Sequence, residues 1–78
     1  MGVKPLEVLF ELTDFLRRCN IKYERVVVTD DDNRIFVIIF FPNSNKPIER
    51  FINYKLFGEK SVREVVTEVF ADFYDLSL

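Results

Sequence analysis

Residues 35–41 read Ile-Phe-Val-Ile-Ile-Phe-Phe, an unbroken apolar run that with Arg34 lies between Asp30-Asp31-Asp32-Asn33 on one side and Pro42 on the other. The run has the length of a strand and falls far short of the roughly 18–20 residues that cross a membrane. Its β-branched and aromatic side chains suit a pleated surface. The Asp/Asn cluster before it favours a turn, because these short side chains bond nearby backbone and tolerate left-handed geometry. Pro42 stops the run, having no N–H to give to a ladder. Upstream, Tyr23–Thr29 is also β-branched and aromatic, so the two stretches predict a β-hairpin. Asn43-Ser44-Asn45-Lys46-Pro47 is loop chemistry, and Ile48–Phe57 offers a third strand.

Helical periodicity flanks this strand-rich middle. Between Pro5 and Cys19, Val8, Leu9, Leu12, Phe15, Leu16 and Cys19 fall within about 120° of one another at helical spacing, the stripe of an amphipathic helix. Pro5 suits its first turn, Arg17 and Arg18 suit its last, and Asn20 is a stop signal. A second start lies at Ser61, where Glu64 follows at the spacing of a capping box. Val62, Val65, Val66, Val69, Phe73 and Leu76 then predict one continuous apolar face. Valine is a poor helix former, about half a kcal/mol below alanine, so tertiary packing must hold this helix. The order is α-β-β-β-α, an α+β fold in which a three-stranded antiparallel sheet carries both helices on one face.

With 78 residues there is chain for one domain, spanning 1–78, whose core rests on nine Phe and three Tyr. Histidine is absent and cysteine occurs once, at Cys19. Imidazole-dependent nucleophilic catalysis and His-containing zinc sites are thereby excluded. A single Cys forms neither a bridge nor a CxxC motif, which fits a reducing, intracellular location. A net charge of −2 is not the footprint of a strongly basic nucleic-acid binder. The residues support no catalytic set and no cofactor. The three aspartates lack the glycine and distal glutamate of a calcium loop, so they read as a solvated hairpin tip rather than a metal site. Cys19, on the first helix's apolar stripe, reads as a small buried hydrophobe.

Pro5, Leu9 and Glu11 in the first helix, Tyr23 opening the first strand, the Phe36-led apolar run, and Gly58, Ser61, Val65, Val69 and Phe70 around the last helix recur in one frame. Over roughly residues 4–76 it resembles that of double-stranded-RNA-binding domains. The stretch Phe40-Phe41-Pro42-Asn43-Ser44 is similar to the dimerisation-type version of that domain in Dicer enzymes. The resemblance implies an RNA-silencing or RNA-processing context and three contacts to duplex RNA: the first helix, the first hairpin loop, and lysines at the start of the last helix. Here the hairpin loop is acidic, and the lysine motif is reduced to Lys60 and Arg63. Losing phosphate contacts removes much of duplex affinity. Weak duplex-RNA binding through Glu11, Lys60 and Arg63 is therefore the alternative function, as is a small inhibitor protein of viral or mobile-element type.

The first expectation is a non-catalytic protein–protein interaction or dimerisation module whose partner is another protein or a second copy. The middle strand is apolar at both parities, so whichever parity faces the helices, the other presents large apolar groups outward. The family pattern implies Phe36, Ile38 and Phe40 inward, leaving Ile35, Val37, Ile39 and Phe41 outward, joined by Phe51 of the third strand. Leu6 and Phe10, off the first helix's core stripe, make a smaller second surface. No membrane partner is expected.

Overall fold

The computed structural model describes residues 3–76, with Val3 and Leu76 described by backbone alone. Helix α1 spans Val3–Arg18, strands β1, β2 and β3 span Arg25–Asp30, Arg34–Phe40 and Ile48–Asn53, and helices α2 and α3 span Val62–Val69 and Phe73–Leu76. The sheet is antiparallel in the order β1-β2-β3. The expected α+β layout is present, with two local differences. Residues Tyr54–Phe57, expected as the end of the third strand, form a 3-10 turn capped by the Asn53 side chain, which accepts from the Lys55 N–H. The last helix, expected to be continuous, is divided between Val69 and Phe73.

Helix α1 forms as its stripe requires. Val8, Leu12, Phe15, Leu16 and Cys19 are buried, and Leu9 is half-buried at the margin. Asn20 stops the helix in left-handed geometry, φ 62°. Its N–H reaches the Arg17 carbonyl at 3.0 Å while the Ile21 N–H reaches that of Leu16 at 2.9 Å. This paired closure satisfies helix-end carbonyls, and asparagine is one of few residues besides glycine to adopt it cheaply. Helix α2 starts with both bonds of the capping box: Ser61 Oγ accepts from the Glu64 N–H at 3.1 Å, and Glu64 Oε1 accepts from the Ser61 N–H at 3.2 Å. Val62, Val65 and Val66 are buried.

The hairpin tip also builds itself from local chemistry. Asp31 Oδ1 accepts from the N–H groups of Asn33 (2.8 Å) and Arg34 (2.9 Å), and the Asp31 N–H donates to the Arg34 carbonyl. This fixes the register of β1 on β2, pairing Val28 with Val37 and Val26 with Ile39. On the far side of β2, Ile35 pairs with Ile52 and Phe36 with Phe51.

That register decides which face of the sheet is buried, and it reverses the expected parity of β2. Ile35, Val37 and Ile39 are fully buried and join Ile52 and the helix residues Val8, Leu12, Phe15, Leu16, Val65, Val66, Phe70 and Phe73 in one cluster. Phe41, also expected outside, is half-buried against that cluster. Phe36, Ile38 and Phe40, expected inside, are the partly exposed set. The cause is the sum over three strands. The parity of Ile35, Val37 and Ile39 gathers Val26, Val28, Ile48 and Ile52 from the neighbours, and its two charges are Arg50 and, exposed at the hairpin end, Asp30. The other parity gathers Val27 and Phe51 but also Arg25, Thr29, Glu49 and Asn53, with Arg34 on β2 itself. Because side chains alternate strictly, choosing a face for one strand chooses it for all three.

The division of the last helix places two rings. Phe70 and Phe73 are both fully buried and meet edge to face at 5.3 Å. Between them the backbone tightens: Phe73, Tyr74 and Asp75 each donate to the carbonyl three residues earlier. The Val69 carbonyl, which Phe73 would have served in a continuous helix, instead accepts from Arg50 Nη1 at 2.6 Å. Arg50 also grips Asp72 with two bonds of 2.8 Å. Leu76, expected on the same stripe, has a side chain outside the described residues.

Candidate functional site

The outward face of the sheet is a grid built by the two registers. Across the three strands, Val27 stands beside Ile38 and Ile38 beside Glu49, while Thr29 stands beside Phe36 and Phe36 beside Phe51; Arg25 stands beside Phe40 and Arg34 beside Asn53 at the two ends. Val27, Phe36, Ile38, Phe40 and Phe51 therefore form one contiguous apolar band. Phe51 is 54% exposed and the other four are partly exposed. Of the residues expected on this surface, Phe51 alone lies there. Its opposite neighbour in the register is Phe36, a residue expected inside. Reading β2 and β3 together could have found this, since Phe51 outward and Val37 outward are incompatible with Phe36–Phe51 pairing.

The rings on this face are already engaged with one another and with arginine. Phe36 and Phe51 stack at 4.7 Å with 28° between planes. The Arg34 guanidinium lies 4.2 Å from the Phe51 centroid, and that of Arg25 lies 4.5 Å from the Phe40 centroid. Such contacts hold the arginine stems flat along the apolar band. Arg34 is also 3.7 Å from Asp31, whose carboxyl is held below the usual carboxylate range by the Asn33 and Arg34 N–H groups. Arg25 and Glu49 have no ion-pair partner among the described residues and stand on opposite edge strands.

Leu6 and Phe10 are exposed as expected, 53% and 63%, one helical turn apart on α1 and away from the open face of the sheet. Glu11 is half-buried. Lys60 is bonded to Glu68 at 2.8 Å, and Arg63 is exposed in the first turn of α2. At the hairpin, Asp30 accepts a 2.8 Å bond from the Tyr54 hydroxyl. Partial desolvation, that bond, and the charges of Asp30 and Asp31 push the Tyr54 phenol up to about 12. Stability linked to the neutral phenol is thus complete below the unfolded value near 10 and is lost as pH rises through about 12. Absorbance titration of tyrosinate is expected to show Tyr54 ionising late. Asp30→Asn is expected to lower its pKa without returning it to 10, because desolvation, the largest cause, remains.

A depression of about 510 Å³ lies where α1 leads into β1. Its polar groups are Arg17, Asn20, Lys22, Thr13 and Tyr23. Among the described residues, no three His, Cys, Asp or Glu side chains gather to hold a metal ion, and no helix is long and apolar enough to cross a membrane. No family model matches the chain, and neither a curated protein nor a solved structure matches it.

Proposed function

We propose that this chain is a non-catalytic protein–protein interaction module that docks through the outward face of its sheet. The observation that carries the reading is the contiguous band of Val27, Phe36, Ile38, Phe40 and Phe51 crossing all three strands. A soluble domain seldom keeps such a band uncovered unless a partner covers it. An apolar centre with arginine and glutamate at its margins is also the usual anatomy of a protein interface.

Base stacking on the same rings is the less favoured use. A single-strand platform offers aromatic faces and a cationic groove; here Phe51 is stacked by Phe36 and approached by Arg34, and Phe40 is approached by Arg25. Duplex-RNA binding through Glu11, Lys60 and Arg63 meets a Lys60 already neutralised by Glu68 and an acidic hairpin tip. A photo-cross-linking side chain at Thr29, on the open face, tests the reading against the same group at Glu59 as control. Cross-links to protein from position 29 alone, lost when Ile38 becomes aspartate, are expected. Cross-links to RNA, or none from position 29, would refute it.

A further inference from the structure

Resting on that docking face, we infer that its occupant is a second copy of this chain, turned over about a two-fold axis running along β2. At its two edge strands the face is self-complementary in charge under that operation, while Arg34 at the end of β2, which lies 3.7 Å from Asp31 of its own chain, meets its own copy. Arg25 is on β1 and Glu49 on β3, one on each edge of the sheet and one step apart along the strands, with β2 between them. Neither is ion-paired among the described residues, and the width of β2 keeps them apart there. Laid face to face with its axis along β2, a second copy brings its β3 over β1 and its β1 over β3. Each Arg25 then stands a single step, about 7 Å along the strand, from the Glu49 of the other copy. Two identical ion pairs form, as an isologous interface requires. The same operation stacks Ile38 on Ile38 and Phe36 on Phe36 at the centre, the aligned packing of two sheets. An axis across the strands at Ile38 would instead set Glu49 against Glu49.

The size of the face sets the strength. Three strands by four alternate positions project to about 14 by 25 Å, roughly 350 Å² per copy, in the range of small and concentration-dependent interfaces. Light scattering and sedimentation of the purified full chain from about 1 µM to 1 mM should show its mass moving from one chain toward two, as expected of an interface this small. Arg25→Glu and Glu49→Arg, each placing like charges across the interface, should weaken association about tenfold. The double variant Arg25→Glu/Glu49→Arg re-forms both pairs with reversed sign and should recover affinity to within about threefold of the original, since rim charges contribute mainly by complementarity. Ile38→Asp should be monomeric throughout with an unchanged melting temperature. A chain that stays monomeric to 1 mM, or a double variant no better than its parents, overturns the two-fold arrangement. If the chain is monomeric while the Thr29 cross-linker captures a different protein, the second-copy inference fails and the docking face stands. If it is monomeric and that cross-linker captures nothing, both fail.

Discussion

Val37→Asp is expected to unfold the protein, whereas Ile38→Asp, one residue along, is expected to leave its fold and stability nearly unchanged. Val37 is fully buried between Val28 on β1 and the aliphatic part of Arg50 on β3, within the cluster shared with the helices. A carboxylate there has no partner, and burying it costs about 4 kcal/mol or more, either directly or through forced protonation. A 78-residue domain has only about 4–12 kcal/mol of stability in total. Ile38 is on the outward face, where water reaches it, and its change should stay within about 1 kcal/mol. Circular dichroism and urea unfolding of the two variants measure the difference. Equal unfolding by both, or tolerance of aspartate at Val37, would show that the buried parity of β2 is misassigned.

Arg50→Ala is expected to lower stability by about 1–3 kcal/mol without changing the fold. On the interior parity of the sheet Arg50 is the partly buried charge, Asp30 being exposed at the hairpin end. It serves the Val69 carbonyl at the helix break, holds Asp72 bidentately and lies 5.2 and 5.3 Å from the centroids of Phe70 and Phe73. Removing it leaves a partly buried carbonyl without its donor. The ion pair itself is the smaller part, because the Asp72 side chain is 57% exposed and water screens it. Arg50→Lys should fall between, since a single ammonium cannot reproduce the fork that meets Asp72 and Val69 together. Urea denaturation gives the ordering.

The same clamp has a pH signature. Arg50 holds the Asp72 carboxyl below the usual carboxylate range, chiefly by hydrogen bonding. The folded value is the lower one, so this contribution is complete above the unfolded value of about 3.9 and disappears as pH falls through the depressed folded value. Asp14, bonded by Arg17 and Arg18, and Asp31 at the hairpin tip have lowered values too. Acid unfolding should therefore be shallower in Asp72→Asn than in the parent, without being abolished.

Much of the fold is legible in the chain because it depends on neighbours in sequence. The α1 stripe, the Asn20 stop, the Ser61–Glu64 capping box and the Asp31 turn each need only residues within about one helical turn of one another. The pattern overextends the third strand because Tyr54, Leu56 and Phe57 are as apolar as strand residues, while the local bond from the Lys55 N–H to the Asn53 side chain that bends the chain carries no apolar pattern. The break at Phe70 is hidden for the opposite reason. Phe70 falls beside the predicted stripe, and only burial of both Phe70 and Phe73, with Arg50 arriving from β3 to take the Val69 carbonyl, makes a broken helix better than a straight one.

The candidate surface shows the same boundary. The residue order alone puts large apolar groups on both faces of β2 and acidic residues at the hairpin tip. It left the parity open, because Ile35, Val37 and Ile39 are nearly matched in hydrophobicity by Phe36, Ile38 and Phe40. Strand pairing sets it. Pairing β2 with both neighbours adds Val26, Val28, Ile48 and Ile52 with Asp30 and Arg50 to one face, and Val27 and Phe51 with Arg25, Thr29, Glu49 and Asn53 to the other. That imbalance turns the valine and isoleucine side toward the helices, and leaves phenylalanine, flanked by Arg25, Arg34 and Glu49, facing out.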